Sequence, residues 1–202
     1  MYALPPLCLP GQSRSLTTQV QYEEFSRHQD EPGILRSRDY FTSLIKDEIN
    51  KGIKPSRIVL GGFSQGGAMS VFTGLTGSQK LGGVFGLSCY LLLSDRITNY
   101  IPEDWPNKDT PFFLAHGEED DVVLFEFGKK TAEALREMGV NVSFHSYPYV
   151  PVSPSSRPLS RILTDASSGL PHSADPAEIE DLERFLEKIL PPEGDGQAAA
   201  GL

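Results

Sequence analysis

The sequence predicts an α/β fold, a mostly parallel sheet flanked by helices, on three observations. Short β-branched or apolar runs alternate with longer stretches of helical periodicity across most of the chain. The first three strand candidates are largely apolar, as strands covered on both faces are. A chain of 202 residues is also long enough to bury one sizeable core between layers of helix.

Residues 1–32 are polar and irregular, and no element is expected there. Ile34-Leu35, Tyr40-Phe41, Leu44-Ile45 and Ile49 then recur at helical spacing, with Gly52 placed to end the helix. Arg57-Ile58-Val59-Leu60-Gly61 reads as a buried strand, and Gly67 to Leu75, small and apolar, as a helix packed closely on a sheet. Gly82 to Ser88 and Pro111 to Gly117 read as two further strands, followed by a helix from about Leu124 to Met138 that ends at Gly139. Val140 to Tyr147 has strand character, and Pro176 to Leu190 is an amphipathic helix opened by its proline. Residues 33–192 thus form one domain, followed by a Gly/Ala-rich acidic tail, 193–202, expected to be disordered. One stretch breaks the rhythm. Residues 149–168, rich in Pro and Ser, exceed ordinary loop length and read as a flexible insertion foreign to the fold, with a functional lid as the alternative.

The net charge of −9 argues against a nucleic-acid surface, which needs a basic stripe, and against broad docking on anionic lipid. Two cysteines, Cys8 and Cys89, are too few for a disulfide framework and fit a reducing compartment. The N-terminus lacks a basic n-region and is broken by prolines, and no apolar run approaches membrane-spanning length.

Between the first strand and its helix lies Gly62-Phe63-Ser64-Gln65-Gly66, a Gly-x-Ser-x-Gly pattern. This pattern sets a serine on a sharp strand-to-helix turn with its hydroxyl exposed, and glycines relieve the crowding there. An ordinary helix N-cap is the bland alternative. A serine hydroxyl attacks only when a base takes its proton and a carboxylate orients that base. Chain order in such hydrolases runs Ser, Asp or Glu, then His. His28 and His116 come too early and His145 lies within a strand, which leaves His172 in the loop before the last helix. Glu118, Glu119, Asp120 and Asp121 follow a strand's C-terminal end, and position alone does not choose among them.

The run Ile58 to Ser70, with Leu87-Ser88-Cys89-Tyr90-Leu91, Pro111 to Val123 and His172-Ser173, resembles the acyl-protein thioesterase (lysophospholipase-like carboxylesterase) family of α/β-hydrolases. The resemblance implies Ser64, Asp120 and His172 as catalytic residues, with the Gln65 backbone N–H in the oxyanion hole and the second donor unassigned. It implies hydrolysis of palmitoyl-type thioesters on cysteines of cytosolic proteins, with carboxylesterase or lysophospholipase activity beside it. S-acylated proteins, lysophospholipids or esters would be the substrates, and no metal or cofactor is needed. The location implied is cytoplasmic, with the nucleus a second compartment. Leu91 and Leu92 are candidates to line an acyl groove. Departures are Glu118, Asp121 and Leu170-Pro171 at three motif positions, and the absence of the family's N-terminal strands and their Leu-His-Gly segment. The alternative is a catalytically impaired fragment or a non-catalytic interaction protein.

Overall fold

The computed structural model describes residues 14–148 and 172–192. Residues 149–168 and 193–202, read above as an insertion and a tail, lie outside the described residues, as does Cys8. Four strands form a wholly parallel sheet in the order β1-β2-β3-β4: β1 is Val59–Phe63, β2 Gly83–Leu87, β3 Phe112–Gly117 and β4 Val142–Tyr147. Neighbours in the sheet are neighbours in sequence. Val59 stands opposite Gly83, Val84 opposite Phe112, and Phe112 opposite Val142.

Alternation along β2 and β3 divides the core in two. Val84, Phe112 and Leu114 point to one face and pack in the main cluster with Val71, Phe72 and Leu75. These last belong to helix α3 (Gln65–Thr76), which is buried at every position from Gly67 to Leu75. Helix α2 (Glu31–Asn50) covers it with the expected face: Ile34, Leu35, Phe41, Ile45 and Ile49 meet the core, while Tyr40 and Leu44 are exposed. Helix α4 (Phe125–Glu137) adds Ala132 and Leu135 on the same side. Leu87, Phe113 and Ala115 point to the opposite face, where Leu182 of helix α5 (Pro176–Ile189) packs on them. The result is a three-layer α/β/α sandwich.

Local sequence explains the helix ends. Asp30 caps α2 by accepting from the N–H of Gly33, and Gly52, at φ 97°, turns the chain out of it. Asp175 and Glu178 close a reciprocal capping box at the start of α5.

The expectation of an irregular segment over 1–32 is corrected: Arg14–Arg27 form helix α1, and α2 begins at Glu31. The apolar periodicity of α1 is weak because much of its docking is polar. Ser26 bonds Ser94 and Asp95, and the Gln29 side chain just past its end accepts from the N–H of Leu93. Its two aromatic contributions, Tyr22 and Phe25, pack against Phe127 and Tyr90.

Candidate active site

The serine elbow follows from close packing. Ser64 adopts φ 55° and ψ −126°, a conformation unfavourable for an L-residue, between the end of β1 and the start of α3. Its N–H still bonds the Leu87 carbonyl at 2.8 Å, so the strand pairing runs into the turn. A Cβ on Gly62 would lie 2.7 Å from the Gly66 carbonyl carbon, and one on Gly67 would lie 2.7 Å from the Gly62 oxygen. At Gly66 a Cβ would meet nothing within 4 Å. Crowding thus demands glycine at Gly62 and Gly67, while the last glycine of the five-residue pattern is under no such pressure.

Two segments distant in sequence converge on this serine. His172 Nε2 lies 2.9 Å from Ser64 Oγ, and His172 Nδ1 lies 2.7 Å from Asp120 Oδ2. The other oxygen of Asp120 accepts the N–H groups of Val122 at 3.0 Å and Val123 at 2.8 Å. Asp120 is 4% exposed, so its charge is desolvated and held by three directed donors. The His172 ring packs against Phe63, with centroids 4.6 Å apart, which limits its rotation.

The acceptor at one end of this line sets its proton order. The Asp120 carboxylate accepts, so Nδ1 of His172 carries the proton and Nε2 is left to accept from the Ser64 hydroxyl. That is the protonation pattern in which an imidazole can act as base toward a serine. Gln65 opens α3, so its N–H belongs to the first turn, where backbone donors lack intrahelical acceptors and favour negative charge.

The other candidates are placed apart from this line. Glu118, Glu119 and Asp121 are exposed, and Glu118 accepts from the Ser146 hydroxyl. His28 bonds the Glu24 carbonyl within α1, and His145 stacks on Phe113 from β4. His116 is buried beneath Asp120. Cys89 offers no rival nucleophile: it is buried, and burial first, then the nearby Glu178 charge, pushes its thiol up to about 12. Leu91 and Leu92 do not line an open groove. They are 1% and 5% exposed and sit in the main core, because the chain turns inward after β2 and packs them there. The exposed apolar side chains adjacent in sequence to the site are Phe63, before Ser64, and Val122, after Asp120.

Of two buried groups beside the site, sequence reasoning weighed His116 only as a base and passed over Glu178. Glu178 was legible as the last member of Asp175-Pro-Ala-Glu178, a capping-box pattern. Nothing in the sequence alone marks His116 as a neighbour of Asp120. Among the described residues no group of three or more His, Cys, Asp or Glu side chains forms a metal site, and no helix is long and apolar enough to cross a membrane.

Residues 19–165 match the family model described as Phospholipase/Carboxylesterase. Acyl-protein thioesterase 1 of Aspergillus fumigatus is 61% identical over 188 residues, a match covering 93% of this chain and 70% of that protein. Acyl-protein thioesterase 1 of Emericella nidulans is 60% identical over 178 residues, covering 88% and 66%. The chain therefore spans about two thirds of the length of these relatives. Among solved structures, Arabidopsis thaliana SOBER1 superposes with a TM-score of 0.65 at 28% identity, over 80% of this chain and 66% of that one. With its parallel sheet and serine elbow, the chain belongs to the phospholipase/carboxylesterase family and is a serine hydrolase of the α/β-hydrolase fold.

Proposed function

We propose that this chain hydrolyses thioesters joining long acyl groups to cysteines of proteins, with carboxylic esters and lysophospholipids as further substrates, and that Ser64, His172 and Asp120 perform the reaction. The observation that carries the reading is the unbroken hydrogen-bonded line from Ser64 Oγ through His172 to Asp120. The substrate class rests on similarity to proteins named acyl-protein thioesterase 1. A cytoplasmic and nuclear location belongs to the same proposal, supported by the low cysteine content.

In the first half-reaction Ser64 Oγ bonds to the acyl carbon while its proton passes to His172 Nε2. The imidazolium so formed is stabilised by Asp120, 2.7 Å from Nδ1. The carbonyl oxygen gains negative charge, and the Gln65 N–H at the start of α3 is placed to donate to it. Collapse of this intermediate expels the cysteine thiolate, which takes the proton from His172. In the second half-reaction water bonds to the acyl carbon while its proton passes to His172 Nε2; the Ser64 Oγ–acyl bond then breaks, His172 returns the proton to Oγ, and the carboxylic acid leaves. Phe63 and Val122 offer exposed apolar surface beside Ser64 and Asp120 for the start of an acyl chain.

Labelling of the purified chain with a fluorophosphonate probe tests the assignment. Ser64 is the expected adduct site, and Ser64→Ala and His172→Ala should abolish labelling while His145→Ala keeps most of it. Hydrolysis of matched long- and short-chain acyl thioesters tests the substrate class, with the long chain preferred. No adduct on Ser64 in a folded chain would favour a non-catalytic interaction protein, a reading that the family comparisons do not favour.

A further inference from the structure

We propose that His116 is a positioning residue for the triad carboxylate: its ring, neutral and protonated on Nε2, anchors the Val123 peptide that in turn holds Asp120. The proposal concerns the same site and rests on the functional reading above.

β3 delivers His116 at its end, and the chain then folds back on itself over Gly117 to Leu124. This return brings the Val123 carbonyl to 2.8 Å from His116 Nε2. A carbonyl oxygen only accepts, so the proton resides on Nε2. Val123 is thereby clamped at both ends of its backbone: its N–H donates to Asp120 Oδ1 at 2.8 Å, and its C=O receives His116. His116 Nε2 is 3.6 Å from Asp120 Oδ2, too far to compete with His172 for that oxygen.

The other ring nitrogen, Nδ1, is buried without a hydrogen-bond partner among the described residues. It faces Gly128 of α4, where a Cβ would come within 2.2 Å of it, and Phe125 meets the ring edge-on. A proton on Nδ1 would therefore be a buried donor with no acceptor. Burial lowers the proton affinity of the ring first, and the nearby His172 lowers it further, against the opposing pull of the Val123 carbonyl and the Asp120 charge. His116 thus stays neutral and leaves the Asp120 charge to His172. The absence of a side chain at Gly128 is what lets the ring lie this close under the loop.

Without the His116 N–H, the Val123 carbonyl is orphaned in a buried site, and the residue whose N–H grips Asp120 loses one of its two backbone anchors. A catalytic group displaced by about 1 Å can cost about a hundredfold in rate.

Nitrogen-15 NMR of the full chain labelled at histidine is the primary test. His116 should show the Nε2–H tautomer and should protonate only below the pH of an ordinary histidine. A proton on Nδ1 of the neutral ring, or protonation at or above the ordinary histidine pH, overturns the proposal whether or not the chain is active. Variants supply the second test. His116→Leu should lower kcat by about 10- to 100-fold with KM changed by less than about twofold. His116→Gln, whose amide N–H reaches the same carbonyl, should recover most of the loss. Equal losses in the two variants, or no loss in His116→Leu, overturn the proposal. If His116→Leu does not fold, the tautomer and the Gln variant decide. If the parent chain fails to label at Ser64, the hydrolase reading falls separately. The downfield His172 N–H resonance then decides, being lost in His116→Leu and kept in His116→Gln.

Discussion

Replacing Asp120 by asparagine changes one oxygen for one nitrogen, and the structure says what that costs. Three donors converge on this carboxylate: the N–H groups of Val122 and Val123 on Oδ1, and Nδ1–H of His172 on Oδ2. An amide offers one acceptor oxygen. If that oxygen turned to His172, the NH2 group would face two backbone donors in a buried site, at about 1–3 kcal/mol for each group left unpaired. The oxygen therefore stays on Val122 and Val123, and the NH2 faces His172. Nδ1 must then accept, its proton moves to Nε2, and Nε2 presents a donor to Ser64 where a base is needed. A triad locked in the wrong tautomer loses about ten-thousandfold in kcat. The assay is initial-rate hydrolysis of an acyl thioester, beside fluorophosphonate labelling, for Asp120→Asn and Asp121→Asn. The exposed Asp121 serves as the matched control and should stay within about twofold of the parent. Retention of more than about a tenth of the parent rate by Asp120→Asn would refute this reasoning, as would equal losses in the two variants.

Ser64→Gly should abolish hydrolysis yet stabilise the chain by about 1 kcal/mol, since glycine accepts the φ of 55° without strain; a urea midpoint no higher than the parent's contradicts this. Gly67→Ala should destabilise by about 1–3 kcal/mol, because its Cβ would be forced to 2.7 Å from the Gly62 carbonyl oxygen at the elbow; thermal melting checks it. Glu178 is buried at the start of α5, and burial first, then the charges of Asp175 and Asp120, raise its pKa from 4.5 to about 7 against the hydrogen bond from the Asp175 N–H. The unfolded chain therefore releases this proton first. Its contribution, on the order of 3 kcal/mol, is fully present below about pH 4.5 and lost as pH rises through 7. Glu178→Gln, which keeps an acceptor for the Asp175 N–H, should flatten stability over that window; an unchanged slope in urea titrations would rule it out.

Most of the sheet was legible because β2 and β3 are apolar runs with few alternatives to burial, while β1 and β4, at the two ends of the strand order, are only half-buried and β4 alternates apolar with polar residues. Helix α3 was legible for the same reason, since only a helix pressed between two layers can hold nine consecutive buried residues. Helix α1 was not, because Ser26 and Gln29 dock it through hydrogen bonds that leave no apolar period. In the site, Ser64 carried its own local signature. Asp120 did not: four acidic residues shared one turn, and burial of just one of them is a property of the folded loop. Leu91 and Leu92 were misplaced because an apolar run after a strand looks alike whether it faces a ligand or a core. His116 was weighed only as a base and set aside by chain order; its place beside Asp120 was not legible because its partner is a backbone carbonyl, which any residue at position 123 would supply.

The sheet is ordered as the chain is ordered, yet the proposed triad is not local: Ser64 and His172 are 108 positions apart. As a polypeptide leaves the ribosome, β1 and the elbow emerge long before the base that would activate the serine. Strands can add to one growing edge in turn, while His172 arrives only with the segment leading into α5. The hydroxyl of Ser64 therefore remains an ordinary alcohol through synthesis and early folding. Contacts of such long sequence separation form late, after closure of the loops that precede them. In the proposed mechanism, reactivity is a timer that starts when α5 docks.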